Sequence, residues 1–482
     1  MSGIKNIEIL GNGDLDIASI KYDSRRTAKG DLFAAVKGEN FDGMDFLEDA
    51  ASRGAEAFLV PRGAEKRVEG TYIYAYDVRE ALALASRNFF GDPSGRLNVV
   101  GITGSNGKTT TSYLVHGILE HAGIAAGLIG TVQYLVGGQI ISAARTTPES
   151  PDLLGLMGAM IKSGCTACVM EVSSHAVTLS RVKGVKMEVA VFTNLTRDHL
   201  DFHNDMEGYY RAKAGLFVES DVKHRVVNCD DPFGQRLIRE LGTETITFGI
   251  QRGDISTEGP VTIQEWGSSC RLATPWGPLE VATTLPGRFN LYNIMAAVAS
   301  CGLLGVDAGT MAEGLSLIGR VPGRFEKVDR GQPFTAVVDY AHTPDALMNV
   351  LENARAITRG RVITVFGCGG DRDKTKRPLM GSVAGQMSDV VIVTSDNPRS
   401  EDPEIILDQI MEGLGDPAGV VERITDRRTA IDHAVREARP GDMVVVAGKG
   451  HENYQIVGKR ILPFSDVDEL ARALEKLAGE EL

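Results

Sequence analysis

The residues whose spacing carries the most chemistry are Gly101-Ile102-Thr103-Gly104-Ser105-Asn106-Gly107-Lys108-Thr109-Thr110. Glycines at 101, 104 and 107 let a backbone wrap a polyphosphate and turn its N–H groups inward. The helix that follows the turn adds the positive end of its dipole to the same anion. Lys108 supplies a mobile cation, and the Thr109 hydroxyl stands where a magnesium ligand is needed. The strict phosphate-loop pattern wants glycine at 102, where this chain has Ile102, so the loop is a variant. A strand-to-helix turn without a ligand is the competing reading, and Gly-Lys-Thr after an apolar strand weighs against it.

Two more groups follow apolar strands. Val169-Met170-Glu171 leads into Val172-Ser173-Ser174-His175, and Ala190-Val191-Phe192 leads to Thr196-Arg197-Asp198-His199. In an open α/β sheet, ligands sit beyond the carboxyl ends of the strands. Glu171, His199 and Thr109 could therefore share divalent cations with phosphates there. A histidine alone would more simply be structural. Further on, the strands 361–366, 389–394 and 443–447 each end in a polar loop. The loops contain Gly369-Gly370-Asp371-Arg372, Asp396-Asn397-Pro398-Arg399 and Gly448-Lys449-Gly450-His451-Glu452. Converging on one sheet edge, they make a polar pocket in which Arg372 and Arg399 suit carboxylates and Glu452 suits an ammonium. That combination reads as an amino-acid site.

The elements that must position these residues imply an α/β fold of three domains. A small α/β unit over residues 1–95 has strands near 31–36 and 57–60, a helix over 46–55 and a linker at 91–95. Its polar loops, 23–26 and 37–43, could hold a polar ligand or be solvated turns. A central domain over 96–320 carries a P-loop ATPase-type parallel sheet. Its first helix shows one apolar face of Leu114, Val115, Ile118, Leu119 and Ala122 and stops at Gly123. A later stretch, 285–297, reads as a turn capped by asparagine entering a small-residue helix. A Rossmann-like C-terminal domain covers 321–482.

A 482-residue chain fits three domains better than one. With 43% apolar and 24% charged residues its composition is that of a globular protein. A net charge of −13 argues against a nucleic-acid partner, so an anionic ligand must be met by local cations. No signal-like start and no apolar run of membrane-spanning length is present, so the expected place is the cytoplasm and the expected state a monomer. Cys165 and Cys168 form a lone Cys-x-x-Cys without a second pair, which reads as buried thiols rather than a zinc site.

Together these residues resemble the Mur ligase superfamily, within it the MurE-type synthetases of peptidoglycan assembly. The resemblance runs along essentially the whole chain. It rests on Asp23-Ser24-Arg25, Gly30-Asp31-Leu32-Phe33, the Gly104–Thr110 loop, Thr146-Thr147-Pro148, Glu171-Val172-Ser173-Ser174-His175, Asp198-His199-Leu200-Asp201-Phe202-His203, Asp339-Tyr340-Ala341-His342-Thr343-Pro344 and Asp396-Asn397-Pro398-Arg399. It implies an ATP-dependent amide ligase that forms an acyl phosphate and then an amide, releasing ADP and phosphate. By resemblance Lys108 contacts the transferred phosphate, within a loop of Gly104, Ser105, Asn106, Gly107, Thr109 and Thr110. Thr109, Glu171 and His199 resemble magnesium ligands. Lys213 matches a lysine that the family carbamylates, a cation made into an anion beside a metal. Asn293 and Arg324 resemble adenine and phosphate contacts, with Asp339 and His342 nearby. Ser24, Thr146, Thr147, Ser173 and Arg181 match positions that hold the UDP-N-acetylmuramoyl dipeptide. Arg145 departs from the asparagine that many relatives have before Thr-Thr, which bears on the detail of that substrate contact.

The Asp396–Arg399 motif resembles the version that adds meso-diaminopimelate, with Arg372, Asn397, Gly448 and Glu452 completing the site. Diaminopimelate exceeds lysine by one carboxylate, which Arg399 can grip bidentately. The nucleotide loop and the amino-acid pocket fall in different expected domains, so closure must bring them together and exclude water. Two rival readings stand beside this one. An L-lysine-adding sister ligase would lack a reason for Arg399. A nucleotide-dependent regulatory switch would need neither Lys213 nor the amino-acid loops.

Overall fold

The computed structural model describes residues 4–38, 41–242, 244–264, 267–415 and 419–480. Glu39 and Asn40 of the polar loop 37–43, and residues 1–3 of the start, lie outside these. By internal contacts the chain forms two units. One takes in Met1–Thr103, Ile124–Val191 and Ala212–Arg225; the other takes in Gly104–Gly123, Phe192–Arg211 and Val226–Leu482.

In the first unit, strands β1 (Ile7–Leu10), β2 (Ile20–Lys21), β3 (Leu32–Ala34), β4 (Ala57–Pro61) and β5 (Thr71–Ala75) form a sheet in the order β1-β5-β4-β3-β2. All its pairs are parallel except β1 with β5. Successive residues point to opposite faces, so each face has its own core. Leu32, Ala34, Leu59 and Ile73 pack with Ala81, Leu82 and Ala85 of helix Val78–Phe89. Phe33, Phe58, Val60 and Tyr72 pack with Leu47 and Ala50 of helix Leu47–Ser52. Asp77 caps the longer helix, accepting from the N–H groups of Arg79 and Glu80. The expected linker at 91–95 is a packed turn in which Pro93 and Ser94 are buried and Asp92 pairs with Lys186 at 2.9 Å.

A second sheet of this unit holds β6 (Asn98–Thr103), β7 (Ala126–Ile129), β8 (Gln133–Val136), β9 (Gln139–Ser142), β10 (Ala167–Glu171) and β11 (Lys186–Phe192), ordered β11-β6-β10-β7-β8-β9. β6, β10 and β7 run parallel, and the register sets Glu171 opposite Ile102. The β8–β9 hairpin is antiparallel, turning at Gly137 and Gly138 with φ of +55° and +80°. Cys165 is buried just before β10 and Cys168 within it, and burial pushes the Cys168 thiol up to about 12, keeping it protonated.

In the second unit, helix Lys108–His121 buries Leu114, Val115, Ile118 and Leu119 and ends before Gly123 at φ +76°. β12 (Asp221–Asn228) pairs in parallel with β13 (Ile246–Phe248) through Val226–Asn228. Strands β14 (Ser256–Gln264), β15 (Gly267–Ala273) and β16 (Leu279–Thr283) form an antiparallel sheet. The helix after it, Arg288–Leu303, corrects the expected asparagine cap. Gly287 at φ +99° is the cap, and Asn290 and Asn293 lie inside the helix. Asn290 instead donates back to the carbonyl of Pro286 at 2.8 Å. The positive φ at the cap favours glycine over asparagine.

The C-terminal sheet holds β17 (Glu326–Lys327), β18 (Thr335–Asp339), β19 (Val362–Phe366), β20 (Val390–Val393), β21 (Val420–Arg423) and β22 (Met443–Ala447), ordered β17-β18-β22-β19-β20-β21 and parallel except at β17. Both faces are covered: Val337, Val445 and Phe366 join one core, Val338, Val446 and Ile363 the other. The carboxyl ends of β18, β22, β19 and β20 therefore share one edge, where Asp339 and the three polar loops emerge.

Candidate active site

In the second unit the P-loop is strapped in place by the chain that follows β11. Ser105 N–H donates to the Asn194 carbonyl and Asn106 N–H to Asn194 Oδ1, both at 2.9 Å. Ser105 Oγ donates to the Thr196 carbonyl at 3.0 Å, and Thr193 Oγ1 to the Asn106 carbonyl at 2.6 Å. Such straps leave no room inside. A Cβ on Gly104 would collide with Thr193 Oγ1, and one on Gly107 with Asn293 Oδ1. Gly107, at φ +86°, begins the helix without a side-chain cap, and the positive end of the helix dipole lies at the loop. Lys108 Nζ folds over the loop to the carbonyls of Gly104 (2.8 Å) and Ser105 (2.9 Å). Thr109 and Thr110 are buried in the first turn.

Arg324 and Asn293 come to the same place. Arg324 Nη2 donates to Thr109 Oγ1 at 2.9 Å while its guanidinium lies 4.8 Å from the Tyr340 ring centre. Its buried Nε has no hydrogen-bond partner, an arrangement suited to an incoming anion. Asn293 Oδ1 accepts from Thr111 Oγ1 at 3.3 Å. Asp339 accepts from the N–H groups of Phe325 (2.7 Å) and Ala341 (2.8 Å), and burial pushes its carboxyl above the usual range against the pull of Arg324. His342 Nδ1 lies 2.8 Å from the Tyr340 carbonyl, and burial together with Lys376 holds its imidazole below the usual range. His199 has φ +52°, in the left-handed region that non-glycine residues rarely enter. Its Nε2 lies 3.3 Å from Asp198 Oδ2. Burial pushes the Asp198 carboxyl up, but His199, His342 and Lys376 outweigh it and hold the group ionised below its usual range.

The first unit holds the other expected residues. Glu171 is buried at the end of β10 and accepts from the N–H and Oγ1 of Thr131, both at 2.9 Å. Thr131 Oγ1 lies 3.0 Å from Thr146 Oγ1. Thr147 Oγ1 bonds the Glu171 carbonyl and accepts from Ser173 N–H, and the Ser173 hydroxyl caps helix Ser174–Thr178. Arg181 donates to Glu149 at 3.0 Å and to the Thr147 carbonyl at 3.2 Å. Arg79 and Arg145 reach the same Glu149 carboxylate, each at 3.1 Å. The unusual Arg145 is thereby placed: it belongs to a three-arginine cluster around one carboxylate. Ser24 sits buried in the turn Ser24–Arg26 and hydrogen-bonds Asp49. Lys213 is only 1% exposed on helix Met206–Val218, a rare position for a lysine.

The C-terminal loops do meet. Asn397 Nδ2 donates to Glu452 Oε2 at 2.9 Å, and Asn397 Oδ1 accepts from Ile456 N–H at 2.9 Å. Arg399, at φ +52°, donates from Nη1 to the Gly370 carbonyl at 2.7 Å. Its N–H and C=O pair with Ile456 and Gly458. Gly448, at φ +122°, leaves space that a Cβ would take from Asp396 Oδ2 at 2.7 Å. A Cβ on Gly370 would strike the Pro398 carbonyl. Arg372 stays on the surface and donates to the Asp371 carbonyl at 2.9 Å. Burial pushes the Glu452 carboxyl up, opposed by Lys449.

Three residues here escaped the sequence reading. Lys449 is fully buried, with Nζ 3.1 Å from Asn397 Oδ1 and 3.2 Å from Glu452 Oε2. Arg377, also fully buried, grips both oxygens of Glu401 at 3.0 Å and the Gly369 carbonyl at 3.1 Å. Arg427 holds both oxygens of Asp466 at 2.7 Å and the Ala447 carbonyl at 2.9 Å. Each fixes a loop that carries an expected site residue. The only signal for Lys449 was its place inside the polar loop after β22.

A variant P-loop beside a parallel sheet, with a second polar pocket at another sheet's carboxyl edge, defines a nucleotide-binding protein of the P-loop α/β class. Three family domains match in chain order. They are the Mur ligase family catalytic domain over residues 16–90, the Mur ligase middle domain over 102–301 and the Mur ligase glutamate ligase domain over 323–450. This chain belongs to the Mur ligase family. It is 44% identical to the UDP-N-acetylmuramoyl-L-alanyl-D-glutamate–2,6-diaminopimelate ligase of Geobacter metallireducens, over 98% of this chain and 96% of that one. It is 46% identical to the protein of the same name from Solibacter usitatus, over 96% and 94%. A solved structure of a ligase of that name superposes with a TM-score of 0.67 at 32% identity, covering 96% of this chain and 95% of the other. Among the described residues no helix is long and apolar enough to cross a membrane.

Proposed function

We propose that this chain is an ATP-dependent ligase that joins meso-diaminopimelate to UDP-N-acetylmuramoyl-L-alanyl-D-glutamate in peptidoglycan precursor synthesis. What carries the reading is the meeting of the three C-terminal loops, where Asn397 and Glu452 face an ammonium, Lys449, and Arg399 stands ready for a carboxylate. The names of the full-length relatives support it, and the P-loop supplies the energy source the bond needs. Residues 1–95 would hold the UDP end, 96–320 the ATP and 321–482 the amino acid.

The carboxylate to be extended attacks the terminal phosphorus of ATP, and ADP leaves. The amine then attacks the acyl carbon, and phosphate leaves as the amide forms. The reacting carboxylate and phosphate repel each other, so Lys108 and Arg324 offset that repulsion from the P-loop side. Ser24, Thr146, Thr147, Ser173 and Arg181 orient the UDP-sugar dipeptide. Asn397, Glu452 and Arg399, with Arg372 and Gly448, orient diaminopimelate.

Thr109, Glu171 and His199 would hold magnesium, with Lys213 acting as its carbamate. No cluster of three or more His, Cys, Asp or Glu able to hold a metal occurs among the described residues. The donor set nonetheless fits magnesium, which takes one or two carboxylates and fills its remaining positions with phosphate oxygens and water. When bound, the ion neutralises charge on the transferring phosphoryl group.

The test is product formation. The chain, incubated with ATP, magnesium, the UDP-muramoyl dipeptide and meso-diaminopimelate, should yield a species heavier by one diaminopimelate less water. A chain that leaves the dipeptide unchanged while hydrolysing ATP would favour the regulatory switch.

A further inference from the structure

Lys449 is fully buried, whereas Glu452 beside it keeps 17% of its side chain open to solvent. A substrate can therefore reach the carboxylate and not the cation. The carboxylate divides its contacts. Oε2 accepts from Asn397 Nδ2 at 2.9 Å and from Lys449 Nζ at 3.2 Å. Oε1 accepts no hydrogen bond from the described residues. An ionised carboxylate has room for about four hydrogen bonds, so this second oxygen can still receive an ammonium.

The other contacts of Lys449 tie the same groups together. Nζ donates to Asn397 Oδ1 at 3.1 Å, lies 3.8 Å from Asp396 Oδ1 and sits 5.7 Å from the Tyr454 ring centre. The rest of the surroundings oppose a charge on Glu452. Burial pushes its carboxyl up and the Asp396 carboxylate adds to that, while Lys449 is the largest influence in the other direction. The phenols of Tyr340 and Tyr454 stay protonated, held up by burial and by Glu452 itself. Arg427, the other cation near these carboxylates, is committed to Asp466. His451, next in the chain, packs against the Tyr340 ring with centres 4.9 Å apart.

Resting on the amino-acid reading above, we propose that Lys449 is a positioning residue for that site: from inside the fold it balances Asp396 and Glu452 and holds the Glu452 carboxylate ionised, with Oε1 turned to the ammonium of the incoming amino acid. The cation acts through Glu452 and does not touch the substrate. Without it, two carboxylates stand close together in a poorly solvated place, and Glu452 takes up a proton. A neutral Glu452 loses most of its attraction for an ammonium. Methionine at 449 keeps the length without the charge, and arginine keeps the charge.

The experiment is steady-state kinetics across pH with meso-diaminopimelate varied, at saturating ATP and UDP-muramoyl dipeptide, for the wild type, K449M, K449R, E452Q and K449M/E452Q. At neutral pH, K449M should raise the KM for diaminopimelate about thirtyfold with kcat nearly unchanged. Raising the pH to about 9 should recover most of that loss, because Glu452 then ionises without the cation. K449R should keep the wild-type pH profile. In the E452Q background, removing Lys449 should change the KM by no more than about threefold, because no charge is left to hold. That last comparison stands even where K449M alone does not fold. A KM penalty equal at every pH, or a K449M/E452Q variant about tenfold or more worse than E452Q, overturns the proposal and leaves Lys449 as packing. A wild type that makes no product with diaminopimelate overturns the amino-acid reading and this proposal together.

Discussion

Arg399 occupies a backbone conformation that costs a non-glycine residue about 1–3 kcal/mol. The cost is sustained because its N–H and C=O are both paired and its guanidinium is tied to the Gly370 carbonyl. A residue held so firmly in a loop would make a preorganised carboxylate receptor. In the proposed site, truncation to alanine would leave the second carboxylate of diaminopimelate without its partner. R399A should therefore raise the KM for diaminopimelate by about a hundredfold. Steady-state kinetics at saturating ATP checks this, and an unchanged KM would remove Arg399 from the amino-acid site. Arg399 was legible in the sequence because Asp-Asn-Pro-Arg follows a strand end. Arg377 and Arg427 were not, since a lone cation on a helix reads as solvated until its carboxylate partner, Glu401 or Asp466, distant in sequence, is known; Lys449 was not, because a lysine three residues from Glu452 in a polar loop reads as an exposed pair until its burial is known.

At the scale of elements, the pocket is stiff because charged clamps join its loops. Arg377 and Lys374 hold Glu401, whose own backbone follows Arg399, and Glu401 accepts from the Asp371 N–H at 2.6 Å. The Arg377 bond, working against burial, lowers the Glu401 carboxyl from 4.5 to about 2. A carboxyl lowered on folding contributes stability that is complete above its unfolded value and lost as pH falls through its folded one. Wild-type melting temperature should therefore decline between pH 4.5 and 2 more steeply than that of E401Q, which lacks this titration. Parallel curves over that range would show that the clamp adds no pH-dependent stability. The parallel strands were readable as apolar runs ending in glycine or polar residues. The β14–β16 sheet was not, because its buried apolar positions, Cys270 and Leu272 on β15 and Leu279 and Val281 on β16, are only a few and alternate with exposed ones, without the continuous apolar run that marks the parallel strands. The helix at 288 was read with the wrong cap, because Gly287 at positive φ took the place that asparagine would ordinarily fill.

For the whole molecule, a chain with net charge −13 must bind anions and still use them. The proposed sites would do so with local cations, Lys108 and Arg324 at the P-loop and Arg399 at the C-terminal edge, while Arg79, Arg145 and Arg181 cluster around Glu149. Three families of domain in fixed order were legible from motifs distributed along the chain, whereas the division into two units by contact was not, since packing between distant segments leaves no local pattern. A ligase of this kind couples ATP turnover to amide formation with diaminopimelate. Phosphate release measured with ATP, magnesium and the UDP-muramoyl dipeptide, adding meso-diaminopimelate, L-lysine or no amino acid, tests it most directly. Release that depends strongly on diaminopimelate, with little response to lysine, is the expected result. Equal stimulation by lysine would contradict the role of Arg399, and release indifferent to dipeptide and amino acid alike would contradict the ligase.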